Sequence, residues 1–486
     1  MKILLSLIFD RPESEQAFYD HYYKWLIANI PSADIKLFVC KKFFDANEKS
    51  HLLDVLNPVL FSEQDMEYIF GSKNIDCFSD KYIKLFNNNL SKTELKKLKE
   101  TIDLKLNNWI PDIVMTQGLE TSYDLWKDVF PKSLILNQEN AIFSRPPFNR
   151  TLAYDPFRAS PDNFLVRFAD YIKKFKISKY ENKLVNKFKK SLTDIIDKNS
   201  PLDDVMAVYK AKFNKLLLLP LIGDRYIKLF NDCICDNEFD LVENVLKKTP
   251  QNIGVFVTQH DSGGSLTPEN IKYFQSQYSN FIFLQQTDVR GYANNSLNYF
   301  KYIDGVLNIT SKTGFMAMLW DKPVISLAKQ YNKWYEDGFG IESVVDVLNT
   351  PYKDKNNALY WYFTHYVVFQ EDFGKDDFLY KLLNDWLNKF RRGNIGFDFY
   401  SQINDFDKIY DYVIASVSGC YQKQSVCAQT QNPDLQNLLL ENAKLKRKYN
   451  KLVKKSLKYK IIRFLSHITF GKMRVHFKSM KKSMLS

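Results

Sequence analysis

The sequence predicts an α/β protein built of two Rossmann-like domains facing a cleft, with a C-terminal helical tail. Two observations lead there. Short apolar runs alternate with longer helical patterns twice over, on either side of a Lys-rich helical stretch. The positive charge, in contrast, is gathered at one end. The stretch 443–486 holds 15 Lys and Arg and no Asp or Glu, so the overall +12 leaves −3 for everything before it. Strands that alternate with helices form parallel sheets covered on both faces.

In the first domain Ile3–Ile8 reads as a strand, Glu13–Ile30 as a helix and Ile35–Cys40 as the next strand, followed by Ile113–Thr116 and Leu134–Asn137. The opening MKILLSLIF has an apolar run of about six residues that meets Asp10, Arg11 and Pro12, too short for a secretory leader. A first strand is the expectation. From Pro156 to Lys215 the texture turns helical and Lys-rich, which marks the connection. A second alternating series follows: KLLLLPL at 215–221, GVFVTQ at 254–259, FIFL at 281–284, then Val306–Ile309 and Pro323–Leu327.

The expected boundaries are 1–165 for the first Rossmann-like domain and 166–212 for a helical connection. The second Rossmann-like domain spans 213–372, closing helices 373–417 and a linker 418–433. A coiled-coil and basic amphipathic segment fills 434–486. Six scattered cysteines exclude a disulfide scaffold, and the Cys233-x-Cys235 spacing suits neither zinc nor redox work. No stretch approaches the roughly 20 apolar residues of a spanning helix, so a cytoplasmic protein, soluble or peripheral, is expected.

In doubly wound folds ligands sit beyond the carboxyl ends of the strands. Asp224 follows the strand KLLLLPL and could attack or deprotonate a bound sugar, though a turn or helix cap uses aspartate equally well. His260 ends GVFVTQ and precedes Asp261, Ser262, Gly263 and Gly264, where an imidazole and close backbone amides suit an anion. Thr310–Ser311–Lys312–Thr313–Gly314 follows the strand VLNI and opens an apolar helix, a position suited to phosphate, although an ordinary cap accounts for it too. Glu139 follows the strand LIL and would serve as general base for an acceptor hydroxyl across the cleft. Metal ligands are sparse: Asp405 and Asp407 lie on a solvated helical face, and no metal is expected.

Taken in order, four segments resemble the bacterial capsule polysaccharide synthesis family, whose characterised members include retaining β-Kdo transferases. They are Gln138–Glu139–Asn140 with Phe143–Ser144–Arg145, Ile177–Ser178–Lys179–Tyr180, the strand Leu216–Leu219 with Pro220 and Asp224, and Val255–His260 paired with ITSKTGFMAMLWDKP at 309–323. The chain departs from the family's pattern at Glu181, at Leu221–Ile222–Gly223 before a single Asp224, and at Asp261.

The resemblance implies a GT-B glycosyltransferase that takes Kdo (3-deoxy-D-manno-oct-2-ulosonic acid) from CMP-Kdo with retention. Asp224 would attack the anomeric carbon, His260 would contact the leaving phosphate or sugar carboxylate, and Glu139 would face the acceptor. Ser311 and Thr313 would bind CMP, with Arg145, Lys179, Gln259, Lys312 and Gly314 completing the substrate contacts.

In the tail, helical spacing gathers Ile461, Leu465 and Ile468 on one face, flanked by Lys458 and Arg463. Such a stripe favours an anionic membrane surface, here the inner face of the bacterial inner membrane, over nucleic acid, because the near-neutral body offers no basic face. The expected partners are a nucleotide-sugar donor and a glycolipid or polysaccharide acceptor. The alternatives are a GT-B transferase for another nucleotide sugar and a non-catalytic scaffold subunit of a polysaccharide assembly machine.

Overall fold

The computed structural model describes residues 1–7, 29–30, 32–40, 44, 58–71, 83–84, 89–117, 123–144, 147–148, 151–157, 162–200, 202–259, 265–283, 295–373, 375, 377–393 and 395–429. The first sheet has seven strands. They are β1 (Lys2–Leu7), β2 (Asp34–Cys40), β3 (Val59–Phe61), β4 (Ile113–Gln117), β5 (Leu134–Asn140), β6 (Thr151–Asp155) and β13 (Val368–Phe369), in the order β13-β6-β5-β4-β1-β2-β3. The second has β7 (Lys215–Pro220), β8 (Ile253–Thr258), β9 (Phe281–Phe283), β10 (Gly305–Asn308), β11 (Val324–Ser326) and β12 (Gly338–Phe339) in the order β12-β11-β10-β7-β8-β9. All six of its strands run parallel. Each sheet reverses its winding beside its first strand, between β1 and β4 and between β7 and β10, and such a reversal opens a crevice for ligands. This is the expected α/β GT-B arrangement of two Rossmann-like lobes.

Continuous apolar runs form the central strands because both faces are covered. Leu216, Leu217, Leu218 and Leu219 are all at most 1% exposed. Leu4, Phe38, Val114 and Trp126 sit in the core of the first lobe, and Leu229 of the helix Asp224–Phe230 joins that same apolar cluster. A helix that follows a second-lobe strand therefore inserts into first-lobe packing.

The helix Lys179–Lys198 links the lobes. Ser178 and Glu181 form a capping box at its start, and Val185, Phe188, Leu192 and Ile196 bury one stripe at helical spacing. Its Lys189, 4% exposed, donates to Asp321 of the second lobe and to Asn356.

Three features differ from expectation. β6 and β13 pair antiparallel, so the first sheet is mixed rather than parallel. Because β13 belongs to that sheet, the chain has returned to the first lobe by Val368, inside the stretch expected for the second domain. Residues 418–429, expected as linker, continue the helix Phe406–Gln429. A lone Gly419 is tolerated there, and the first helix-breaking proline comes only at Pro433. The amphipathic tail, the rest of the expected linker and most of the helix expected at Glu13–Ile30 lie outside the described residues. No helix among the described residues is long and apolar enough to cross a membrane.

Candidate active site between the lobes

β5 ends in the first lobe with Glu139 half-buried, and β10 ends in the second just before Ser311 and Lys312. Across the gap Lys312 Nζ donates to Glu139 Oε1 at 3.0 Å. With side chains 37% and 40% exposed, this pair is worth about 0–1 kcal/mol, little enough for an anionic ligand to displace.

Lys312 opens a helix of only five residues, Lys312–Met316, followed by a 3₁₀ turn, Ala317–Trp320. So short a helix has little dipole of its own, and the cation of Lys312 is the main attraction for an anion. Ser311 caps the helix by accepting from Thr313 N at 3.2 Å. Gly314 sits so close to Asn308 that a Cβ would lie 2.3 Å from its amide carbon. That amide is fixed, since Asn308 Nδ2 donates to Asn332 Oδ1 at 2.9 Å and to Tyr335 Oη at 3.0 Å.

Behind the ion pair lies a narrow cavity of about 60 Å³, lined among others by Asn137, Asp155, Ser311, Phe315, Trp334 and Tyr362. Asp155, at the end of β6, is 2% exposed and accepts from Phe157 N at 2.8 Å, Phe164 N at 2.9 Å and Tyr366 Oη at 2.7 Å. Burial pushes its carboxyl up to about 7, against the pull of those three donors. Tyr362 and Tyr366 belong to one π-helical turn, Tyr362–Tyr366, and Tyr362 Oη accepts from Ile142 N at 3.2 Å. Asp155 and this tyrosine turn were not expected from sequence. Asp155 ends an unremarkable run, TLAYD, and its tyrosine partner lies 211 residues away.

Asp224 is half-buried at the start of its helix and does not line this cavity. Its Oδ1 accepts from Glu238 N at 2.6 Å, and its own N donates to Ser265 Oγ at 2.7 Å. Glu238 is fully buried and accepts from Ile222 N at 2.6 Å and Gly223 N at 2.5 Å. Its burial, with Asp224 alongside, raises its carboxyl above the usual range. Gln259 bridges to Leu266, accepting from its N at 3.3 Å and donating to its O at 3.4 Å.

The structure thus brings together Glu139, Ser311 and Lys312, with Thr313 and Gly314 shaping the turn behind them. Asp224 and Gln259 form a second group, at the ends of β7 and β8. Lys179 is exposed at the start of its helix and lines neither that cavity nor the open depression of about 850 Å³ beside Tyr180, Glu181 and Asp407. Its motif has a local cause, because Ser178 and Glu181 of that run make the capping box. Arg145 and His260 lie outside the described residues. No group of three or more His, Cys, Asp and Glu suited to a metal occurs among the described residues.

Glu139, Asp155, Asp224, Ser311 and Lys312 all fall inside one stretch that similarity to known proteins also singles out. Residues 132–340 match the capsule polysaccharide biosynthesis protein family. No curated protein matches the chain. Among solved structures it is similar to KpsC of Thermosulfurimonas dismutans, a β-Kdo 2,7 transferase, at 12% identity over 63% of this chain and 88% of that one, with a TM-score of 0.38. A β-Kdo 2,4 transferase KpsC structure from the same organism gives 14% identity over 53% and 81%, with a TM-score of 0.35. The UDP-GlcNAc 2-epimerase of Methanocaldococcus jannaschii gives 14% over 74% and 95%, with a TM-score of 0.27. Likeness at this level assigns no activity. The capsule polysaccharide resemblance therefore stands on the match at 132–340, and the site within it on its own geometry.

Proposed function

We propose that the chain is a glycosyltransferase of surface polysaccharide biosynthesis, moving Kdo from CMP-Kdo to a lipid-linked or polysaccharide acceptor with retention. The observation that carries this reading is the Lys312–Glu139 pair, a cation from one lobe and a carboxylate from the other meeting at strand ends across a cleft. Once a donor enters, Lys312 is free to take its phosphate or sugar carboxylate, with the Ser311 hydroxyl beside it. Glu139 is then free to accept the proton of an acceptor hydroxyl.

In this reading Asp224 attacks the anomeric carbon through an oxygen, the bond to CMP breaks, and the phosphate leaves toward Lys312. The acceptor oxygen, deprotonated by Glu139, then displaces the aspartate and restores the original configuration. Asp224 supports this role in one respect: Oδ1 is held by Glu238 N, and among the described residues Oδ2 accepts no hydrogen bond. The basic stretch 443–486 is the proposed contact with an anionic membrane surface, where such acceptors reside.

Incubation with CMP-Kdo followed by intact-protein mass spectrometry tests the scheme. The expected result is a gain of one Kdo in the wild type and none in Asp224→Asn. Thermal protection by UDP- or CDP-sugars in place of CMP-Kdo would transfer the reading to another donor. Full function of Asp224→Ala in cells would favour a scaffold subunit.

A further inference from the structure

The loops that follow β7 and β8 are joined by a closed ring of hydrogen bonds centred on a carboxylate that no motif singled out. Glu238 opens the helix Glu238–Lys248 and has no exposed surface. Its Oε1 receives two successive amides, Ile222 N at 2.6 Å and Gly223 N at 2.5 Å, and Oε2 receives Ser265 N at 3.4 Å. In return Glu238 N donates to Asp224 Oδ1 at 2.6 Å, while Asp224 N donates to Ser265 Oγ at 2.7 Å. Gly223 makes the turn possible at φ +94°, a region other residues rarely enter.

A helix-capping aspartate alone would account for the Asp224–Glu238 contact. It does not account for a buried carboxylate spent on the two amides immediately before Asp224. Its two oxygens take three amides from two segments, more than a helix cap requires. What the ring does provide is rigidity: one oxygen of Asp224 and its backbone nitrogen are both fixed, at the carboxyl edge of adjacent strands. The geometry points to Glu238 as the positioning residue of Asp224, holding its carboxylate at a set distance from the sugar. This rests on the reading of Asp224 as the nucleophile.

The test measures CMP release from CMP-Kdo by the full chain in the wild type, Glu238→Asp, Glu238→Gln and Asp224→Asn, with melting temperature alongside. Glu238→Asp keeps the charge but shortens the arm by one methylene, and a displacement of about 1 Å can cost on the order of 100-fold in rate. The expected result is at least a tenfold loss of kcat in Glu238→Asp with KM within about threefold of wild type. Glu238→Gln, which keeps the length and an oxygen for Ile222 N and Gly223 N, is expected within about threefold in kcat. Wild-type kcat in Glu238→Asp, or a loss in both variants that merely follows melting temperature, overturns the positioning role while Asp224 stays in place. Undiminished CMP release by Asp224→Asn, or none by the wild type, removes the nucleophile itself and the positioning role with it.

Discussion

Tyr366 donates to Asp155 Oδ2 at 2.7 Å, joining the turn that returns from the second lobe to the last residue of β6. Tyr400 Oη donates to the neighbouring Tyr154 O, so two tyrosines pin the end of this strand. The floor of the interlobe cavity is held by contacts between segments more than 200 residues apart.

A pH dependence follows from Asp155. Its carboxyl is raised from 3.8 to about 7, so the protonated form is favoured by folding. The stability this provides is complete below about pH 4, declines as pH rises toward 7, and is lost above it. The effect is on the order of a few kcal/mol. Asp155→Asn is expected to flatten the fall in melting temperature between pH 4 and 7 relative to wild type. Parallel curves for the two proteins would show that Asp155 is ionised when folded.

Lys312→Met tests the cleft cation. Because the Glu139 pair is half-exposed, stability should change by about 1 kcal/mol or less. Donor KM is expected to rise at least tenfold, as measured by CMP release, since a charge-assisted contact to an anion is worth about 1.5–3 kcal/mol. An unchanged KM would separate Lys312 from donor binding.

Gly314→Ala pushes a methyl group into the Asn308 amide, which is held by Asn332 and Tyr335. Overpacking of this kind costs about 1–3 kcal/mol. Denaturant unfolding should show that loss, and Asn308→Ala in the same chain should recover part of it by clearing the space.

Asp224→Asn keeps an oxygen for Glu238 N and is expected to unfold within about 1 kcal/mol of wild type, whereas Asp224→Ala leaves that amide without its acceptor and loses about 1 kcal/mol or more. Both should abolish the Kdo adduct. An adduct retained in either variant would exclude Asp224 as the attacking group.

Removal of 443–486 is expected to abolish flotation with vesicles of anionic lipid while leaving CMP release within about twofold, since each basic residue near such a surface contributes about 1 kcal/mol. Equal flotation with and without the segment would refute the membrane role.

The amino-acid sequence by itself determined the two-sheet plan. KLLLLP can be buried on both faces only in a covered parallel sheet, and Glu139, Asp224 and Ser311 were legible as positions at or beyond strand ends. Tertiary structure decided the rest. The pairing of Lys312 with Glu139 spans 173 residues, and that of Tyr366 with Asp155 spans 211. Glu238 reads in sequence as an ordinary residue in a helix first turn, yet folding buries it completely against the amides before Asp224. Periodicity records which face of an element is buried. It carries no information about which distant side chain will lie against it, because that depends on how the lobes pack.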